Sequence, residues 1–279
     1  MFESNPSALS QIKGMTLVMA YRNQWPGAGD YITYDASLLT NFPDTKSFAG
    51  ISLSQDVQGK GAITQTQAYL MYSYKTRIGH RTNFAAGLSG GYDFLSVNTN
   101  KLSFENPADL PSSLSSKKGF FDFSTGFQIG FLDQTYFGIA ASHILKTVSN
   151  NRPLKMSIYY QGDYLIWGNP NYEYVKASPL ILVSKQAEFN DILYGSRFNF
   201  NGILGGLYLR HDFKFKPKSI IILLGINFKN VRFIYTYDIN LSGAASNFTN
   251  LAAHEVTFFY NFEYKEKMRR KGAIKCPRI

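Results

Sequence analysis

From His254 to Tyr264 the chain changes chemistry at every step. Val256, Phe258, Tyr260, Phe262 and Tyr264 fall on one side of an extended backbone, while Glu255, Thr257, Asn261 and Glu263 fall on the other. Only Phe259 breaks the polar row. A strand of about eleven residues, aromatic on one face and polar on the other, has the length needed to cross a bilayer at a tilt. The same period of two recurs upstream. Between Gly14 and Tyr21, Met15, Leu17, Met19 and Tyr21 oppose Thr16, Val18 and Ala20; between Tyr31 and Leu38, Ile32, Tyr34, Ala36 and Leu38 oppose Thr33, Asp35 and Ser37. Between Asn83 and Phe94, Phe84, Ala86, Leu88, Gly90, Tyr92 and Phe94 stand opposite small or polar residues, which suits a crowded lumen. Phe121, Phe123, Thr125, Phe127 and Ile129 alternate with Asp122, Ser124, Gly126 and Gln128. Ser47–Ser54, Gln65–Tyr74, Gln134–His143, Lys155–Ile166, Tyr172–Val183, Phe189–Phe198, Ile203–Asp212, Ser219–Phe228 and Val231–Asn240 complete the set. The pattern predicts about 14 strands, an even number.

The connections carry a second test, because a membrane barrel has short turns at one end and long loops at the other. Counted from the first, odd connections include Ser96–Lys118, Leu145–Pro153 and Leu241–Leu251, whereas even ones such as Gly130–Gln134, Trp167–Asn171 and Lys229–Asn230 are short. Several odd connections are short as well. A soluble all-β chain has no reason to gather its longest loops at one end and more often forms sandwiches. The expected fold is all-β, a single transmembrane antiparallel β-barrel over residues 1–264, with its more aromatic face toward lipid. A basic tail follows at 265–279.

Composition agrees with this picture. There are 19 Tyr and 23 Phe but only 2 Trp, and the charged fraction of 17% is below the usual level. No apolar run is long enough for a transmembrane helix, a criterion blind to a barrel whose hydropathy is halved by alternation. The N-terminal stretch from Met1 to Gln11 has no basic region followed by an apolar core, so for an exported protein the numbering is expected to start after processing. The net charge of +10 would ordinarily raise nucleic acid as a partner. Its distribution argues otherwise: Lys265, Lys267, Arg269, Arg270, Lys271, Lys275 and Arg278, offset by Glu266, supply most of it from the tail. No nucleic-acid partner is expected.

Candidate chemistry is sparse. His80, His143, His211 and His254 lie far apart without a second ligand at metal spacing, so neither a metal site nor a cofactor is expected. There is no nucleophile elbow, phosphate loop or dinucleotide fingerprint. Asp122, Asp163, Asp191, Asp212 and Asp238 read as solvated, lumen-facing charge rather than catalytic carboxylates, and the chain is not expected to be an enzyme. The tail has two readings: bases that stay in water against lipid head groups, or a partner site comprising Arg269, Arg270, Lys271, Cys276, Pro277 and Arg278. Cys276 is the sole cysteine, so its disulfide partner in an oxidising compartment would have to be another chain. Tyr21, Arg22, Asn23, Gln24, Trp25, Pro26 and Gly27 place a guanidinium fork, two amides and a tryptophan at the first turn. There Trp25 suits a membrane interface and Arg22 a lumenal carboxylate.

Three features coincide: Asn5-Pro6 near the start, the 21–27 stretch, and a terminal strand from His254-Glu255 into a tail ending Cys276-Pro277-Arg278-Ile279. Together they resemble the PorP/SprF family of outer-membrane proteins of the Bacteroidota type IX secretion system. Where the family usually continues Asn-Pro with Ala-Tyr-Ala-Gly, this chain has Ser7-Ala8-Leu9-Ser10. The resemblance implies an integral outer-membrane barrel in contact with lipid, both termini periplasmic. It also implies partnership with periplasmic or lipoprotein components of the secretion and gliding machinery, or with a surface adhesin or secreted cargo carrying a C-terminal sorting domain. The competing functions are a passive channel or small-solute transporter, a membrane-embedded hydrolase, and a soluble β-sandwich scaffold.

Overall fold

The computed structural model describes residues 5–26, 31–98, 117–145, 152–169, 171–241 and 252–262. Its strands are β1 (Met15–Gln24), β2 (Tyr31–Phe42), β3 (Ser47–Gln58), β4 (Ile63–Arg77), β5 (Thr82–Val97), β6 (Lys117–Phe131), β7 (Thr135–Ser142) and β8 (Lys155–Gly162). They continue with β9 (Tyr164–Gly168), β10 (Tyr174–Gln186), β11 (Phe189–Phe200), β12 (Ile203–His211), β13 (Pro217–Phe228), β14 (Val231–Asn240) and β15 (Ala252–Phe262). Except for β8 and β9, each pairs antiparallel with its neighbours in sequence, and β15 pairs with β1 to close the sheet. β8 and β9 are two lengths of one stave, both laid along β10, so the barrel has the 14 staves that the alternation predicts.

The alternation resolves as expected, with the apolar face outward. Leu53, Leu70, Leu88, Ile129, Ile139 and Ile158 are exposed on the outer wall, whereas Ser52, Ser73, Ser89, Asp93, Asp122 and Ser124 are buried on the inner one. This inverts a soluble protein and is what a lipid solvent selects. Met15 pairs with Phe262, so the barrel begins and ends at the same rim, here called the terminal rim. Its connections, including 43–46, 132–134, 201–202 and 229–230, are all short, while the chain segments between β5 and β6, β7 and β8, and β14 and β15 leave from the opposite, loop rim.

Two features depart from the sequence reading. Several strands are longer than predicted: β1 runs on through Arg22 to Gln24, and β3 to Gln58, because polar lumenal residues at strand ends look like turn residues in sequence. The stave predicted as Lys155–Ile166 is broken at Asp163, which the register sets opposite Ser178 of β10, directly beside Pro179. A proline cannot donate to the ladder, so the pairing is interrupted there. The Ser178 hydroxyl donates to the Asp163 carboxylate (3.0 Å), and the Asp163 amide to the Gln134 carbonyl (2.8 Å).

The segment before β1 is the larger surprise. Pro6–Gln11 forms a short 3-10 helix whose residues Pro6 to Ser10 are all buried. Asn5 caps it, accepting from the Ser7 amide (2.9 Å) and hydroxyl (2.6 Å), and Pro6 occupies the first helical position, where its missing N–H leaves nothing unsatisfied. This helix lies inside the barrel.

Candidate functional site

The functional geometry of the molecule is its lumen, and the N-terminal helix sits across it. Leu9 packs with Leu39, Phe48 and Met71 from β2, β3 and β4, joined by Ile12 and Val18. Ala8 packs on the other side with Tyr136 and Tyr159 from β7 and β8, joined by Leu182 of β10. Polar groups tie the helix down between these contacts. The Asn5 amide donates to the Ile139 carbonyl (3.2 Å); Gln11 donates to Gln128 (2.9 Å), and Gln128 in turn to the Ser10 hydroxyl (3.1 Å). The Tyr159 hydroxyl also reaches Gln128.

The wall is shaped to receive this helix. A Cβ at Gly87 would strike the backbone of Pro6 and Ser7, and one at Gly126 would strike the Asn5 carboxamide. Glycine here is a matter of close backbone approach, not of dihedral freedom. The small residues on the inner face of β5 and β6 are therefore the seat of a lumenal plug. Opposite it, Leu204, Leu223 and Ile234 cluster with Tyr208 and Phe259, and Phe259 is the cross-strand neighbour of Val18. The one aromatic that breaks the polar row of β15 thus belongs to an apolar waist that includes the plug.

Cavities flank the waist. On the loop-rim side lies one of about 510 Å³, lined by Met71, Tyr69, Asp122, His143, Arg152 and neighbouring Ser and Gln residues. Toward the terminal rim lies one of about 420 Å³, lined by Phe48, Lys46, Lys75, Arg77 and Asp133. Met71 and Phe48, both packed on Leu9, each face one of them.

The lumenal carboxylates are locked in networks. Asp93 and Asp122 share the Tyr69 hydroxyl at 2.8 and 2.9 Å; Asp93 also takes Gln67 (2.9 Å) and Arg152 (2.5 Å), and Asp122 takes His143 (2.6 Å) and the Phe123 amide (2.9 Å). Asp122 is 1% exposed, so it is a buried, paired charge rather than the solvated one expected. Sequence reasoning missed Asp93 and Tyr69 because their contacts depend on the register between the neighbouring strands β4, β5 and β6, which alternation within each strand does not set. Asp163 is held by Ser178 and Asp191 by Lys218 (2.5 Å), while Asp212 lies in the β12–β13 loop. The four histidines stay apart: His143 meets Asp122, His211 the Asp212 carbonyl and His254 the Tyr235 hydroxyl. Among the described residues no three metal-ligating side chains come together.

Residues 21–26 lie at the loop-rim end of β1 and in the turn that follows it. Arg22 points into the lumen and pairs with Glu255 (3.1 Å) and Asp238 (3.2 Å), with Arg210 also 3.5 Å from Asp238. Gln24 and Trp25 line the same cavity of about 560 Å³, and Tyr21 faces outward against Tyr34. Asn23 keeps its side-chain oxygen buried without a partner, and Pro26 follows in the turn. Gly27 and the whole proposed tail site, Arg269, Arg270, Lys271, Cys276, Pro277 and Arg278, lie outside the described residues.

Comparison with known proteins fits this architecture. A family model described as type IX secretion system membrane protein PorP/SprF matches residues 1–260. No curated protein matches the chain. Among solved structures, the barrel is similar to the toluene transporter TodX of P. putida, at TM-score 0.55 and 10% identity, covering 94% of this chain and 93% of that one. It is also similar to the toluene transporter TbuX of Ralstonia pickettii, at TM-score 0.51 and 9% identity, with 94% and 93% covered. At such identities the likeness is one of fold.

Proposed function

The chain belongs to the PorP/SprF family of type IX secretion system membrane proteins, and from that premise we propose that it is a non-enzymatic outer-membrane component that works through its rims. In this reading it supports export and surface attachment of a partner adhesin or cargo with a C-terminal sorting domain, and it contacts the periplasmic machinery. One observation carries the reading: the lumen is occupied by the chain's own N-terminal helix on a wall shaped for it. A passive, water-filled pore is not built around a fitted, hydrogen-bonded obstruction at its waist; barrels that carry a plug and still transport must move it. Both termini are assigned to the periplasm because outer-membrane barrels keep their short turns there. The terminal rim also carries β9, which among the described residues pairs only with β10 and leaves Leu165, Ile166 and Trp167 exposed. An unpaired edge of this kind suits an added strand from a partner. The tail residues Arg269, Arg270, Lys271, Cys276, Pro277 and Arg278 are proposed as a further contact on that side.

Native purification in mild detergent is expected to bring with it a large surface protein carrying a sorting domain; recovery of the barrel alone overturns the partnership. Orientation is read by placing single cysteines at Lys60 and at His80, in a Cys276→Ser background, and labelling intact cells with an impermeant maleimide. Lys60→Cys, at the loop rim, should label, and His80→Cys should not.

The passive-channel alternative is supported by the cavities of about 420 and 510 Å³ on either side of the plug and by the likeness of fold to a toluene transporter. Planar-bilayer recording separates the two: the plugged barrel should show no large, steady openings, and such openings in the intact protein would establish the channel.

A further inference from the structure

The outer wall carries a site that neither the lumen nor the rims use. Tyr160, Ile181, Tyr194 and Leu209 stand in one cross-strand row over β8, β10, β11 and β12. Arg210, the next residue, reaches Asp238 inside the barrel, so Leu209 and His211 on either side of it point outward. With Phe215 and Pro217 these side chains line a cavity of about 750 Å³, within the range of lipid and small-molecule sites. A bulge between Arg210 and His211, where the register to β13 shifts, bends the wall at its upper end.

The loop above this groove is built rather than loose. The Asp212 carboxylate accepts from the amides of Lys214 (2.8 Å) and Lys216 (2.9 Å), and the Phe213 amide donates to Asn190 of the neighbouring hairpin (2.9 Å). The hydrogen bonds from Lys216, then Lys214, hold the Asp212 carboxyl below its ordinary range. The turn folds Phe215 onto His211, ring centroids 5.1 Å apart, and His211 meets Tyr194 at 5.5 Å. Lys214 and Lys216 are exposed on this loop, and Lys185 is exposed at the end of β10, whose partner there is Asn190. The carboxylates in the two connections are Glu188, between β10 and β11, and Asp212, between β12 and β13; Asp191 is engaged by Lys218. Phe213, Phe215 and Phe189 are exposed among the lysines.

We propose that this groove binds an anionic outer-leaflet phosphoglycolipid, with an acyl chain along Ile181, Tyr194 and Leu209 and a phosphate between Lys214 and Lys216. Apolar wall below and paired cations with aromatics at the interface are the two halves of a lipid. The leaflet assignment rests on the orientation proposed above; the groove and its lysines do not.

The test is native mass spectrometry of the delipidated full chain, with bisphosphorylated lipid A, dephosphorylated lipid A and phosphatidylglycerol as probes. Bisphosphorylated lipid A should be retained about tenfold more tightly than either of the others. The Lys214→Glu/Lys216→Glu double variant, altered only on an exposed loop, should lose that preference, and Leu209→Trp should weaken all three. Heat-modifiable migration confirms that each variant is a folded barrel. Equal retention of the two lipid A forms, or indifference to the lysine reversal, overturns the phosphate site, and preference for phosphatidylglycerol overturns the outer-leaflet source. Failure to retain lipid A with Lys60→Cys labelled from outside removes this inference alone; retention with His80→Cys labelled instead removes the orientation and the outer-leaflet source with it.

Discussion

Asn5 and Arg22 show how much a single side chain does in this wall. Asn5 caps the plug helix and donates across the lumen to a strand carbonyl, so Asn5→Ala removes a cap and leaves the buried Ser7 amide without its acceptor. It is expected to lower stability by roughly 1–3 kcal/mol, read as a fall in the temperature at which heat-modifiability is lost. Gly126→Leu should act on the same contact from the wall side, since its first carbon already meets Asn5, and should expose the N-terminal segment to protease. Arg22→Ala leaves Glu255 without its partner and Asp238 with only the more distant Arg210. Because Arg22 is itself a quarter exposed, at 25%, the cost should be roughly 1–2 kcal/mol, well short of a fully buried pair. Arg22→Lys should recover only part of it, since an ammonium cannot fork to two carboxylates in one plane.

At the scale of elements, the plug and the barrel are separable. The staves hold one another through continuous ladders, so a chain lacking residues 1–11 should still insert and migrate as a folded barrel. It should now conduct in planar bilayers where the intact chain does not; silence of the truncated barrel would mean that the opposite cluster of Leu204, Leu223 and Ile234 closes the waist unaided. The strands were legible because one face is paid in lipid and the other in water, which stamps period two onto residues such as Phe121 to Ile129. The plug was not. Pro6 to Gln11 is too short to show a helical period, and its apolar residues, Ala8 and Leu9, matter only against partners contributed by strands as distant as β10. Gly87 and Gly126 did leave a signal, in the small residues of the inner face, but the sequence could not say what filled the space. The break at Asp163 was likewise hidden, since its cause, Pro179, lies one strand further on.

For the whole molecule, the parts fall into tiers along the membrane normal: loops and a lysine-aromatic collar at one end, a waist of apolar contacts, and short turns with a basic cavity at the other. Such an arrangement divides labour by depth, leaving the interior for stability and the two ends for company. A co-purified surface protein should therefore detach when loop-rim residues are altered and persist when Asn5, at the waist, is changed. The closure of the sheet has a consequence in time. The first stave to leave the ribosome can be completed only by the last, and the obstruction is attached immediately ahead of that first stave. Biogenesis must therefore lodge the leader inside an unfinished cylinder or feed it through an open mouth afterwards, so delaying the final strand should prolong the interval in which the interior is accessible.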